Sequence, residues 1–358
     1  MSPSTATTSR STLAERLDSL TREAEVYRSL EDGSVQCFAC GHRCLIREGK
    51  RGICQVRFNQ DGRLYAPWGY VSGLNVDPIE KKPFFHVLPG TRTLTFGMLG
   101  CDLHCAYCQN WITSQALRDP SAGAPIELIS PEEMVNIAIR YRSPFITSSY
   151  NEPLITAEWA VAIFKEAQPH GIRGLFVSNG NLTPEVLEYL RPYLAGYKID
   201  LKSMNDRSYR QLGTTLNNVL DGIRMVYESG LWLEVVTLVV PGFNDSEQEL
   251  REAARFLVSL SPDIPWHVTA FHRDYKMLDH NDTDVRTLLR AAEIGRSEGL
   301  RYVYAGNIPG MVGDWENTFC PQCGTLLVKR WGFRVLEDHL TGSGLCYQCG
   351  TPIPGVWC

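Results

Sequence analysis

The sequence predicts an α/β fold: a partial (β/α) TIM-type barrel of about six to seven parallel units, with small cysteine-rich, metal-binding appendages at its N- and C-terminal ends. Two observations predict it. From Thr93 to residue 316, short apolar runs alternate with helical patterns, the rhythm of βαβ units on a parallel sheet. The 12 cysteines also fall into groups. Cys37, Cys40, Cys44 and Cys54 precede the alternating region, Cys101, Cys105 and Cys108 lie inside it, and Cys320, Cys323, Cys346 and Cys349 follow it, with Cys358 left over.

Taken in order, residues 1–10 are Ser/Thr-rich, lack an apolar segment and read as disordered, neither signal peptide nor anchor. Residues 11–30 read as a polar helix, with Leu13, Leu17 and Leu20 on one stripe and a capping box from Thr12 to Glu15. The first cysteine group follows, in a region spanning 31–92 whose second half is rich in Gly, Pro and aromatic residues and reads as short strands and loops. The barrel occupies 93–316. Its strands are expected at 93–99, 145–149, 173–178, 197–201, 233–240, 266–271 and 301–304. Helices are expected near 131–142, 157–169, 184–191, 216–229, 246–260 and 283–297. Pro131 and Pro184 occupy first turns behind the caps Ser130 and Thr183. From residue 317 the rhythm stops, and 317–358 forms a small cysteine-rich tail.

A net charge of −5 supplies no basic field of the kind that recruits nucleic acid. The most apolar run, 231–243, contains Glu234 and Pro241 and is too short to span a bilayer. The expectation is a cytoplasmic protein with neither membrane nor nucleic acid as partner. In that compartment cysteines point to metals rather than disulfides.

The chemistry centres on Cys101-Asp-Leu-His-Cys105-Ala-Tyr-Cys108, directly after the first barrel strand. Barrels of this kind react at the C-terminal ends of their strands. A cubane iron–sulfur cluster needs a ligand on each of four irons, so three close thiolates leave one iron open. Other strand ends on that face are polar: Ser149-Tyr150-Asn151-Glu152-Pro153, Ser178-Asn179-Gly180, Asp200-Leu201-Lys202, Phe271-His272-Arg273 and Ala305-Gly306-Asn307.

Cys101, Cys105 and Cys108, with Tyr107 before the last, resemble the motif of the radical S-adenosylmethionine (SAM) enzymes. The extension through Gln109 and Asn110 resembles the branch containing the pyruvate formate-lyase activating enzymes. Tyr150-Asn151-Glu152-Pro153 stands where that family has Gly-Gly-Glu-Pro, Ser178-Asn179-Gly180 replaces Thr-Asn-Gly, and Asp200-Leu201-Lys202 matches directly. The first cysteine group, residues 77–83, Asn110-Trp111-Ile112 and the ending from Ile353 to Trp357 together resemble the radical SAM member of the AmmeMemoRadiSam system, from about residue 35 onward.

The resemblance implies a [4Fe-4S] cluster on the three cysteines, with the amine and carboxylate of SAM on its open iron. It also implies reductive cleavage to a 5′-deoxyadenosyl radical that takes hydrogen from an unidentified substrate. Glu152 then accepts from the SAM ammonium, Asn151 replaces a glycine, and Ser178 and Asn179 meet the methionine carboxylate or ribose. Asp200 and Lys202 bind ribose and carboxylate, or else form an internal ion pair. Tyr107 packs near adenine, or simply in the core. His272, past its strand end, is the candidate catalytic residue on the substrate side, and is preferred to His267 within the strand. The implied partners are a reductant such as flavodoxin or ferredoxin and a Memo-like protein. The alternatives are an activase for a glycyl-radical enzyme, and a non-catalytic zinc-ribbon binding module.

Cys320-x2-Cys323 and Cys346-x2-Cys349, each followed by glycine, have zinc-ribbon spacing, and a tail this short needs a metal to fold. Zinc is preferred there over iron. Cys37-x2-Cys40-x3-Cys44-x9-Cys54 is also a complete set. It takes zinc, the preferred reading, or an auxiliary iron–sulfur cluster that relays electrons.

Overall fold

The structure, a computed structural model, describes residues 12–357. The disorder expected over 1–10 and the leftover Cys358 lie outside the described residues. Eight strands form the central sheet: β1 (Gly73–Pro78), β2 (Arg92–Gly97), β3 (Phe145–Ser148), β4 (Arg173–Ser178), β5 (Leu194–Asp200), β6 (Trp232–Val239), β7 (Trp266–Ala270) and β8 (Val303–Gly306). They pair in sequence order. From β2 to β8 every pairing is parallel, so seven strands make the expected partial barrel. β1 adds to its edge antiparallel, with Asp77 opposite Thr93.

Crossover helices cover the outside because each buries one apolar stripe. Pro131–Arg140 starts with a reciprocal cap: Glu133 N donates to Ser130 Oγ (3.1 Å), and Ser130 N donates back to Glu133 Oε2 (2.7 Å). Helices Ala157–Ala167, Pro184–Leu190, Leu216–Glu228, Glu247–Leu260 and Val285–Ser297 follow at the expected places. Trp159, Trp266, Phe164 and Phe176 fill the interface between helices and sheet.

Two expectations fail. The helix predicted over 11–30 ends at Leu13–Asp18, although its capping box is present. Thr21–Glu23 instead pairs antiparallel with Arg63–Pro67, and Tyr27–Ser29 with Val35–Cys37. Sheet pairing with the metal-binding region overrides a weak helical pattern. The strand β1 falls where short strands were expected, but its pairing onto the edge of the barrel sheet was not anticipated, because residues 73–78 lack a continuous apolar run.

The N-terminal region docks on the barrel through a buried fork. Arg57 donates from both terminal nitrogens to Glu158, each at 2.7 Å, and from Nη1 to Ile155 O at 3.1 Å. The two side chains are 1% and 2% exposed. Stripping one partner leaves a buried charge unpaired, so Glu158→Ala is expected to cost about 3–5 kcal/mol. Urea unfolding measures this directly, and a loss below about 1 kcal/mol contradicts it.

The tail, with strands Leu326–Trp331 and Arg334–Asp338, lies across the open side of the barrel. It meets β8 where the Tyr304 hydroxyl bonds the Thr318 hydroxyl at 2.8 Å. It meets the β1–β2 connection where Arg330 donates to Phe85 O (2.8 Å) and Val356 N donates to His86 O (2.8 Å). His86 ties the two together, bonding Pro354 O and the Tyr304 hydroxyl at 2.7 Å each. No helix among the described residues is long and apolar enough to cross a membrane.

Candidate active site

β2 runs into buried Met98 and Leu99, and Gly100 turns the chain at a φ of 101°. The turn needs glycine twice over, since a Cβ there would also lie 2.8 Å from Val56. The loop that follows places Cys101, Cys105 and Cys108 on the wall of a cavity of about 420 Å³. Tyr107 of the same loop lines this cavity with Asn151, Glu152, Ser178, Asn179, Asp200 and Lys202, which the ends of β3, β4 and β5 deliver. His272 does not: it is exposed outside the cavity. Its place as the cavity's histidine falls to His267, buried within β7 and bonded to Glu234 at 2.7 Å. His267 and Thr269, two apart on β7, face the cavity together, whereas His272 lies past the end of the strand.

Glu152 sits deep in the wall. It accepts from the Ser178 hydroxyl (2.7 Å), Asn179 N (2.8 Å) and Leu154 N (3.1 Å). Burial, and then the neighbouring Asp102 carboxylate, push its carboxyl up to about 8. Asp102 is fully buried between Asn179 Nδ2 (2.7 Å) and Asn181 Nδ2 (2.8 Å). No lysine or arginine of the described residues pairs with either carboxylate, and His42 Nε2 stands 4.0 Å from Asp102 Oδ2. Glu152 lines the cavity while Asp102 lies buried behind it, so the group open to a cationic ligand such as the ammonium of SAM is Glu152.

The Tyr-Asn pair that replaces two glycines is accommodated unexpectedly. Tyr150 takes the left-handed φ of 66°. Its ring lies against two glycines, and a Cβ on Gly97 would come within 2.8 Å of Tyr150 Cβ. Asn151 uses its side chain to accept from Met98 N at 3.0 Å. Asp200 forms ion pairs with Lys202 (3.1 Å) and with Lys198. Burial alone would raise its carboxyl, but the two lysines hold it down at about 2. Tyr107 packs edge-on against Phe243, with ring centres 5.4 Å apart.

The residues fit an iron–sulfur cluster. Burial pushes the Cys105 thiol up to about 12 and raises Cys101 and Cys108 as well. Thiolates persist in so dry a site only beside positive charge, which iron supplies. Gln109 Nε2, on the same wall, is buried with no hydrogen-bond partner.

Residues 96–257 match the radical SAM superfamily. Over 335 residues the chain is 38% identical to the uncharacterized protein MJ0808 of Methanocaldococcus jannaschii, covering 93% of this chain and 98% of that one. The chain belongs to the radical SAM superfamily. It is a radical SAM enzyme, so the reading as a non-catalytic module is set aside. More distantly, it is 30% identical over 131 residues to the isethionate sulfite-lyase activating enzyme of Desulfovibrio desulfuricans, 36% of this chain and 42% of that one. It is 23% identical over 201 residues to the pyruvate formate-lyase-activating enzyme of Staphylococcus aureus, 52% of this chain and 76% of that one. A radical SAM methyltransferase of Sphaerobacter thermophilus superimposes with a TM-score of 0.49 at 16% identity, over 86% of this chain and 81% of that one.

This radical SAM enzyme also carries a four-cysteine metal site in its tail. The sulfurs of Cys320, Cys323, Cys346 and Cys349 all lie within 4.8 Å of one another, with Cys320–Cys349 at 3.6 Å and Cys323–Cys346 at 3.7 Å. A metal–sulfur bond of about 2.3 Å gives a tetrahedron with edges of about 3.8 Å. Two matching turns build it: Gly324 N donates to Cys320 O (2.9 Å) and Gly350 N to Cys346 O (2.8 Å). Among the described residues no other cysteine group is so tight. Cys37, Cys40 and Cys54 are buried and Cys44 half-buried, close enough to influence one another's charge but not gathered around a single-ion centre.

Sequence reasoning missed Asp102, Lys82 and Lys198. Asp102 stood in plain view inside the cysteine motif. Lys198 was legible as the residue two before Asp200, which a strand turns to the same face.

Proposed function

We propose that this enzyme cleaves SAM reductively and turns the radical on a small molecule, within an AmmeMemoRadiSam system and beside a Memo-like partner. The observation that carries the reading is one cavity walled by the cysteine triad, the Glu152–Ser178–Asn179 cradle and the basic residues beyond it. With its cluster and SAM bound, the site supplies a 5′-deoxyadenosyl radical. The chain's own residues do the rest. Glu152 holds the ammonium, Ser178 and Asn179 fix Glu152, Asp102 fixes the Asn179 side chain, and the tail bridges β8 and the β1–β2 connection. Flavodoxin or ferredoxin is the expected reductant, and the cytoplasm the expected compartment.

Zinc is our reading for the tail metal. For Cys37, Cys40, Cys44 and Cys54 zinc is likewise our reading, with an auxiliary iron–sulfur cluster as the alternative.

The likeness to two activating enzymes favours a second reading, hydrogen abstraction from a backbone glycine of a glycyl-radical enzyme. After anaerobic reconstitution with dithionite and SAM, 5′-deoxyadenosine is expected with no glycyl-radical enzyme present. Affinity purification from the native host is expected to bring down a Memo-like protein. A glycyl-radical enzyme recovered instead, bearing a SAM-dependent glycyl radical, establishes the second reading.

A further inference from the structure

The cavity has two ends. One is the cysteine loop with Glu152. The other lies toward the start of the strands, where Asp77 faces Thr93, the second residue of β2. That end is basic. Lys82 and Lys198 line the cavity, and their side chains are only 4% and 5% exposed.

Each lysine has donors to spare. Lys82 reaches Asp77 Oδ2 at 2.8 Å and rests its ammonium 4.1 Å from the centre of the Tyr150 ring. Lys198 reaches Asp200. An ammonium carries three N–H donors, so one remains on Lys82 and two on Lys198.

Most of the carboxylates nearby are already engaged. Asp77 also holds Lys81 (2.9 Å) and the Tyr150 hydroxyl, and Asp200 also holds Lys202 (3.1 Å). Glu80 Oε1 accepts from Gly90 N (2.9 Å) and faces Arg330 at 3.7 Å, while its Oε2 is buried with no hydrogen-bond partner. Glu234, paired in register with Lys198, accepts from Phe85 N, His86 N, Trp232 Nε1 and His267 Nε2 at 2.7–3.0 Å. Lys82, Lys198 and Lys202 therefore share two carboxylates, Asp77 and Asp200. A buried ammonium without a matching anion is costly.

We propose that Lys82 and Lys198 bind an anionic group, a carboxylate or a phosphate, on the substrate of the radical reaction. The inference rests on the cavity being the SAM-cleaving site proposed above. Anchored there, a small acid extends toward the cysteine loop within the same cavity. A backbone glycine offers these lysines no charge, so they weigh against the activase reading.

The test uses the reconstituted, SAM-loaded full chain, with inorganic phosphate and acetate as separate probes. One probe is expected to shield Lys82 and Lys198 from an amine-acetylating reagent by about fivefold or more, read by peptide mass spectrometry. Lys82→Met and Lys198→Met are each expected to weaken that probe's binding by about tenfold or more, the loss of one charge-assisted hydrogen bond. Shielding by phosphate assigns a phosphorylated substrate, and shielding by acetate a carboxylic acid. The shielding measurement needs no variant to fold. If neither probe shields either lysine in a preparation that forms 5′-deoxyadenosine, the anion site is overturned while SAM cleavage stands. A preparation that forms none overturns the reading beneath it, and the inference with it.

Discussion

Replacing Cys101, Cys105 and Cys108 together by alanine is expected to abolish 5′-deoxyadenosine formation, a fall of about 10⁴-fold or more, or roughly 5.5 kcal/mol of barrier. The effect is large because no other group on the cavity wall offers a soft ligand for iron: Glu152 and Asp200 are oxygen donors, already engaged with hydrogen bonds or lysines. The fold is expected to survive, because each substitution removes one sulfur from a loop rather than a side chain from the helix–sheet interface. Metal analysis gives an independent readout. The variant is expected to lose about four irons per chain, the content of one cubane, and to keep the tail metal. Iron that persists beyond that loss belongs to Cys37, Cys40, Cys44 and Cys54. Zinc persisting at about two per chain assigns that group to zinc. Undiminished 5′-deoxyadenosine in the triple variant contradicts the assignment of the cluster.

Cys323→Ser with Cys349→Ser is expected to unfold the tail. Structural zinc in small modules is worth roughly 10–16 kcal/mol of folding free energy, and this tail has only Leu327, Val328 and Ile353 with a few aromatic neighbours as its own core. Limited proteolysis is expected to cut beyond residue 317 in the variant and not in the parent. Chelation is expected to do the same to the parent. An uncut variant counts against a metal-dependent tail.

The same junction is acid-sensitive. Burial lowers the His86 imidazole to about 4, below its ordinary 6.5. Between those values the unfolded chain binds the extra proton, so this stabilisation is complete above about pH 6.5 and is lost as pH falls toward 4. The loss is roughly 3 kcal/mol. Thiolate ligands lose metal in the same direction. An unfolding midpoint that is flat from pH 7 to 4 contradicts both contributions.

The parallel sheet was legible because buried strands read as apolar runs and Ser130, Thr183 and their prolines punctuate the helices. The triad was legible because its spacing is dictated by a cluster. The Glu152, Ser178, Asn179 and Asp200 positions followed from strand ends sharing a face. What escaped were relations between distant segments. Residues 21–29 look helical until Arg63–Pro67 and Val35–Cys37 are available to pair with them. His267 looks like core until the residues around it prove to be a cavity wall. Lys82 gains meaning only through Asp77, Tyr150 and Lys198, which local sequence does not bring together.

The staple across the open barrel has a consequence for how the protein is made. His86 bonds Pro354 across 268 positions of sequence, and Arg330 bonds Phe85 across 245. Contacts so far apart in the chain form late, after loop closure has been met by the βαβ units between them. On the ribosome, the sheet from β2 to β8 can assemble in order while the substrate end of the cavity stays open to water. The tail can dock beside it, bringing Phe333 to the cavity wall, only when residues 320–356 have emerged and their thiols have found a metal. Metal supply thus sets when, during synthesis, a chain with a finished cluster loop becomes a chain with a closed reaction chamber.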